Sequence, residues 1–205
     1  MSTRTFDYEI LDEVKTRWSP RAFDPDRPVP EEDLLGVMEA ARFAPSCFNE
    51  QPWRYIVAVQ GEDDYQKILD VLNETNREWA SNAPVLMIIT SRKRFAKNDK
   101  ENRWHLFDAG TSWGFLSLEA HRRGLHTHAM AGFSVDRTRE AFDLGEDISI
   151  IAAVAMGYYG NKEDLSPELQ KKEKPGLRKP TQEILLLKGK IRIHKALSHN
   201  SDAIE

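Results

Sequence analysis

The chain has 205 residues, 30% charged and 40% apolar, with a formal net charge of −4. These proportions describe one globular domain able to bury about 70% of the surface its unfolded chain would expose. The acidic balance excludes nucleic acid as the main partner, because bound phosphates demand a clustered positive field. Cys47 is the only cysteine, which rules out an intrachain disulfide and fits a reducing cytoplasm. Residues 1–12 lack the apolar core of a secretory signal. The apolar runs 85–89 and 148–156 fall far short of the ~20 residues that cross a bilayer, so no membrane is expected.

In chain order, residues 12–17 read as the end of a short helix. Ser19-Pro20 and the stretch 25–30 read as turn and extended chain, because proline breaks helix for itself and its predecessor. Pro30 then opens a helix with Glu31, Glu32 and Asp33 at the positive end of its dipole. Leu34, Val37, Met38 and Ala41 recur at helical spacing, and Pro45 ends the element. A strand is predicted over 55–59, one helix over 64–79, and a strand buried on both faces over 84–90. The polar stretch 91–102 is expected to be a mobile loop. A long helix follows over 104–123, with Ala109, Gly110 and Gly114 leaving room for a close neighbour and Gly124 as its stop. Then come a strand over 125–130, a helix over 136–142, a strand over 148–156, a charged loop over 161–174 and further structure over 180–187. With no internal repeat and irregular alternation of helix and strand, the fold class is α+β around a central sheet. One domain is read over 1–198, with a disordered tail over 199–205.

Two segments carry most of the polar chemistry. In Arg17-Trp18-Ser19-Pro20-Arg21 an extended backbone sends alternate side chains to one side, so two guanidiniums and a hydroxyl can clamp one phosphate. A solvated basic turn is the plain alternative. In the Pro-bounded loop 45–53, Ser46, Asn49 and Gln51 could serve the carbonyl and N–H groups of a flavin or pterin edge, or simply form a polar loop before a strand. Cys47 reads as a small packing residue there rather than a nucleophile.

Asn76 could supply another amide, or cap and face solvent, and Trp79 one turn later reads as packing. Gly132 would let backbone approach a flat ring closely, although a bland strand-to-helix turn is equally compatible. Arg178 and Lys179 could close the phosphate site from the far end of the chain. His126 and His128 share a strand face near His121, but no Cys or acidic residue stands at ligand spacing, so no metal is expected. The chain has no G-x-S-x-G elbow, Walker loop or G-x-G-x-x-G.

Taken in order, R-W-S-P-R-A-F, A-P-S-C-F-N-E-Q-P-W, N-R-E-W-x-x-x-A-P, A-G-F and R-K-P resemble the nitroreductase family of FMN-dependent oxidoreductases, over about residues 11–184. The resemblance implies a central mixed β-sheet flanked by helices in an intertwined homodimer, with two FMN sites at the subunit interface. It implies that Arg17, Ser19 and Arg21 contact the FMN phosphate and pyrimidine side, and that Arg178 binds the phosphate. Pro45, Ser46 and Cys47 would line the ring or ribityl chain. Asn49 and Gln51 match its amide positions, Asn76 its flavin-edge asparagine, and Ala131-Gly132 the turn near flavin N5. In the family some of these contacts come from the partner subunit.

Three departures stand out: Ala131 where many relatives have Glu, Trp79 where they have Lys, and Gly176 where some carry a second basic residue. The implied reaction takes hydride from NADH or NADPH through FMN to a small-molecule acceptor such as a nitroaromatic or quinone. It needs no catalytic side chain, because the cofactor carries the chemistry. The stretch 91–102 and Trp104 would shape the substrate side. The competing functions are an FMN-binding protein for storage or sensing without turnover, and a structural dimer with no cofactor.

Overall fold

The computed structural model describes residues 4–186. Its organising element is strand β2 (Val85–Arg92), whose apolar run is buried on both faces. β2 lies between β1 (Trp53–Val59) and β4 (Ile148–Gly157), and β3 (His126–Met130) pairs with the far side of β4, giving the order β1-β2-β4-β3. Side chains alternate across the sheet with period two. Val85, Met87, Ile89, Val154 and Met156 face α2 (Glu31–Arg42) and α5 (His105–Arg122). Leu86, Ile88, Ala153 and Ala155 face α3 (Asp63–Val71) and α4 (Glu74–Ala80). The result is a sheet between two helical layers, with α1 (Asp12–Thr16) against the C-terminal part of α5 and α6 (Val135–Ala141) against α3.

The α+β class agrees with the expectation, with one correction. Every described strand pair is antiparallel, so the sheet within this chain is not mixed. Two helices separate β1 from β2, which returns the chain in the opposite sense. β2 and β3 do run parallel to each other, but β4 is inserted between them, antiparallel to both.

A second correction bears on the site. The single helix expected over 64–79 is two helices, broken at Leu72-Asn73. Asn73 caps α4: its side chain accepts from the Asn76 N–H at 2.9 Å, a local bond that competes with helix continuation. Arg77 covers the loose end of α3, donating to the carbonyls of Leu69 and Asp70 at 3.1 and 2.9 Å. Leu72 pairs with Phe133 in an isolated bridge.

The stretch 91–102 is not an open loop. β2 continues into it, and Phe95 N–H to Lys100 O and Asn102 N–H to Lys93 O close a short turn, with Asn102 fully buried. The charged stretch 161–174 holds a short turn of 3₁₀ helix and α7 (Pro167–Lys172), anchored by buried Leu165 and Leu169. α8 (Thr181–Ile184) is the last described helix. The tail expected over 199–205, and Leu187, lie outside the described residues.

Candidate functional site

The chain leaves α1 at Arg17 in extended backbone, φ −60° and ψ 132°. Alternation then places Arg17 and Ser19 together: Arg17 Nη1 lies 3.4 Å from Ser19 Oγ and 3.4 Å from Ser117 Oγ on α5. Arg178 and Arg4 stand close by. Burial lowers the Arg17 guanidinium from its ordinary value, and the positive charges of Arg178 and then Arg4 act in the same direction. Among the described residues, no carboxylate lies within salt-bridge distance of Arg4, Arg17, Arg21 or Arg178. Guanidiniums crowded without an acid form a site for an anion, and their forked donors suit phosphate.

Other residues hold this segment in place. The Glu173 carboxylate, 5% exposed, accepts from the Arg21 N–H at 2.9 and 3.1 Å and from the Ala22 N–H at 3.0 Å. Its oxygens are thus spent on backbone. It fixes the path of the chain through Arg21 without pairing with the arginine side chains. Nothing local in the sequence marked Glu173, one acid in a charged stretch. His128 Nδ1 donates to the Pro20 carbonyl at 2.8 Å, since a carbonyl can only accept, and its ring lies 4.6 Å from that of Trp79. Trp79, 1% exposed, stacks on Phe23 at 6.2 Å, so it is packing as expected.

Both strand histidines are strong departures from ordinary imidazole. Burial brings His126 down to about 4, helped by His121 and Arg17. Burial likewise brings His128 to about 4, opposed by the Pro20 carbonyl and helped by Arg21 and Arg17. Both rings are therefore neutral at neutral pH. Among the described residues no group of three or more His, Cys, Asp or Glu is placed to hold a metal ion.

Asn76 and Gly132 meet. Asn76 Nδ2 donates to the Gly132 carbonyl at 3.1 Å, and the Asn73 N–H donates to the same oxygen at 3.0 Å. A Cβ at Gly132 would stand 2.3 Å from Asn73 Nδ2 and 2.7 Å from Asn76 Nδ2. Glycine is required here for the close approach of these two amides. Ala131, just before it, is exposed. Trp79 lies one turn after Asn76, and His128 four residues before Gly132. The Trp79–His128 contact and the His128 bond to Pro20 therefore link the helix and strand of this amide corner to the backbone of the first segment.

The loop 45–51 is built differently. Phe48, Asn49 and Gln51 have φ of 53°, 57° and 52°, left-handed conformations that side chains disfavour. The loop satisfies itself: Ser46 Oγ accepts from the Gln51 N–H at 2.9 Å, and Gln51 Nε2 donates to Asn49 O and Oδ1 at 3.1 and 3.0 Å. The N–H of Cys47, a half-buried residue, donates to both oxygens of Asp108 at 3.2 Å. Burial raises the Asp108 carboxyl, against the opposing pull of that N–H and of His105. Pro45 is exposed, and Phe48 is 90% exposed.

Within one chain the loop does not join the cationic cluster. Cys47 is anchored at Asp108 and Arg17 at Ser117, positions about 14 Å apart along α5 at 1.5 Å per residue. Along this part of α5 the outer face shows Phe107, Gly110 and Phe115 to solvent. A Cβ at Gly110 or Gly114 would meet nothing.

Residues 14–158 match the nitroreductase family. A crystal structure of an oxidoreductase containing FMN superposes with a TM-score of 0.86 at 36% identity, over 92% of this chain and 96% of that one. A nitroreductase family protein from Clostridium difficile 630 superposes with a TM-score of 0.68 at 26% identity, over 89% and 99% of the two chains. The major NAD(P)H-flavin oxidoreductase of Aliivibrio fischeri is 22% identical over 211 residues, covering 82% of this chain and 95% of that one. No described helix is long and apolar enough to cross a membrane.

Proposed function

The chain belongs to the nitroreductase family, and from that premise we propose that it is an FMN-dependent oxidoreductase. It takes reducing equivalents from NADH or NADPH, passes them to a small organic acceptor such as a nitroaromatic or quinone, and works as a homodimer. The likeness to an FMN-containing oxidoreductase and to an NAD(P)H-flavin oxidoreductase supports the cofactor and the reductant. One observation in this chain carries the assignment: half-buried Arg4 and Arg17 and exposed Arg178 crowd together with no carboxylate in salt-bridge distance among the described residues, which fits a phosphate dianion.

FMN, when bound, supplies the redox chemistry at its ring system. The chain's residues supply the holding. Arg17, Ser19 and Arg178 grip the phosphate, and Arg21 projects from the backbone that Glu173 fixes. Asn76 keeps its Oδ1 for the polar edge of a ring, and the Ala131-Gly132 turn meets that ring with backbone. Pro45, Ser46, Cys47, Asn49 and Gln51 belong to the site of the other subunit. The separation of their loop from Arg17 along α5 supports this reading, and the exposed face with Phe107, Gly110 and Phe115 suits a second copy of the helix. No side-chain proton donor is required, and neutral His126 and His128 offer none at neutral pH.

Anaerobic mixing of the flavin-loaded protein with NADH and with NADPH tests the function. The expected result is bleaching of the flavin bands by at least one nicotinamide, followed by recovery on addition of a quinone or nitroaromatic. A flavin bleached by neither would overturn the reductase assignment and favour storage or sensing.

A further inference from the structure

One side chain ties the first motif of the chain to the last, and it lies outside the segment that matches the family. Arg4 Nε donates to the Gly176 carbonyl at 3.2 Å, while its Nη1 donates to the carbonyls of Lys15 at 3.1 Å and Arg17 at 2.8 Å. A guanidinium has five N–H donors. The two on Nη2 make no hydrogen bond among the described residues.

We propose that Arg4 is part of a phosphate-monoester site, where it clips residues 15–17 to residue 176 and adds its charge to those of Arg17 and Arg178. That the monoester is the phosphate of FMN rests on the function proposed above. Carbonyl oxygens take the Nε and Nη1 donors of Arg4 but leave its charge uncompensated. Lys15, which lies beside it, is instead paired with Glu9 and Asp12. Arg178 Nη1 lies 3.4 Å from the same Gly176 carbonyl that Arg4 takes, and Arg4 also bonds the Arg17 carbonyl, so three cations share one region with no carboxylate in salt-bridge distance among the described residues. Like charges held together this way repel, and the occupant that gains most from them is a compact dianion. The three carbonyl bonds keep the arrangement in place before the dianion arrives, so less ordering remains for the binding step.

The test compares the full-length protein with R4A and R4K, titrated with FMN and with riboflavin by flavin fluorescence. R4A is expected to weaken FMN by roughly 10- to 100-fold while changing riboflavin less than about twofold, because the loss is confined to charge-assisted contacts with the phosphate. R4K keeps the charge without the three-way bridge and should fall between. In a parallel arm, inorganic phosphate should raise the melting temperature of flavin-free wild type more than that of R4A. Equal weakening of FMN and riboflavin in R4A, or no change in either, overturns the assignment and leaves the flavin function standing. If wild type takes up no flavin, the flavin function falls and the phosphate arm decides: a smaller rise in R4A supports the site, and equal rises refute it.

Discussion

The segments 17–21 and 45–51 are organised in opposite ways. The first is extended, and its backbone is held from outside by Glu173 and His128, which leaves its cationic side chains without a paired carboxylate among the described residues. The second folds on itself through three left-handed residues, and its amides bond within the loop. A site that gathers charge needs partners that spend themselves on backbone. A loop that presents amides to another surface can hold strain and satisfy itself until that surface arrives.

The largest expected effect comes from removing charge in the first segment. R17A should weaken FMN by roughly 100-fold or more with little change for riboflavin, since phosphate contacts are charge-assisted. Q51A should weaken both flavins alike if it serves the ring. Paired titrations with the two flavins distinguish these outcomes, and a phosphate-selective defect in Q51A would erase the contrast between the regions.

E173Q comes next, with an expected loss of about 1–3 kcal/mol of stability in urea unfolding, because a charge-assisted acceptor is lost and an amide N–H at the Oε2 position would face the Arg21 N–H. Unfolding free energy equal to wild type would show that Glu173 does not hold the first segment.

The buried histidines bear on the same side of the fold. Their folded values near 4 lie below the ordinary 6.5, so the unfolded chain binds more protons between those values. Stability is therefore fully present above pH 6.5 and falls as pH drops toward 4. Urea unfolding across that range should show the decline in wild type and a flatter profile in H126Q/H128Q. Parallel profiles would remove the histidines from the account.

The smallest effect is in the loop. F48G should stabilise the protein by about 1 kcal/mol or less, because glycine accepts a φ of 53° without steric cost but brings extra freedom to the unfolded chain. A thermal melt checks it, and marked destabilisation would mean that the exposed Phe48 ring, 6.0 Å from Phe95, packs more than it strains.

Local patterns made some of this legible. β2 announced itself as an unbroken apolar run, and α2 by Pro30 and its acids. Alternation was expected to gather Arg17, Ser19 and Arg21; Arg17 and Ser19 meet, and no bond joins the Arg21 side chain to them among the described residues. The break at Asn73 was hidden because helical spacing continues across it, while the capping bond that stops the helix is a side-chain event. α7 was hidden because two buried leucines anchor it among charges. The antiparallel order depends on β4 entering between β2 and β3, which no local window contains. Glu173 and Arg4 act on backbone 152 and 172 residues away, so neither leaves a motif. Asn76 and Gly132 stood out locally as an amide and a close-approach turn, and likeness to the family gave them flavin roles. Their contact with each other emerged only in the fold.

The central claim is that the two segments complete one site only across two chains. Heterodimers of R17A with N49A/Q51A, isolated through two different tags, test it directly. Each heterodimer should hold one site with both defects and one with neither, so about half of wild-type flavin should bind with wild-type affinity and be reduced by NAD(P)H. A heterodimer in which no site regains wild-type affinity would place both segments in the same chain's site and contradict the account.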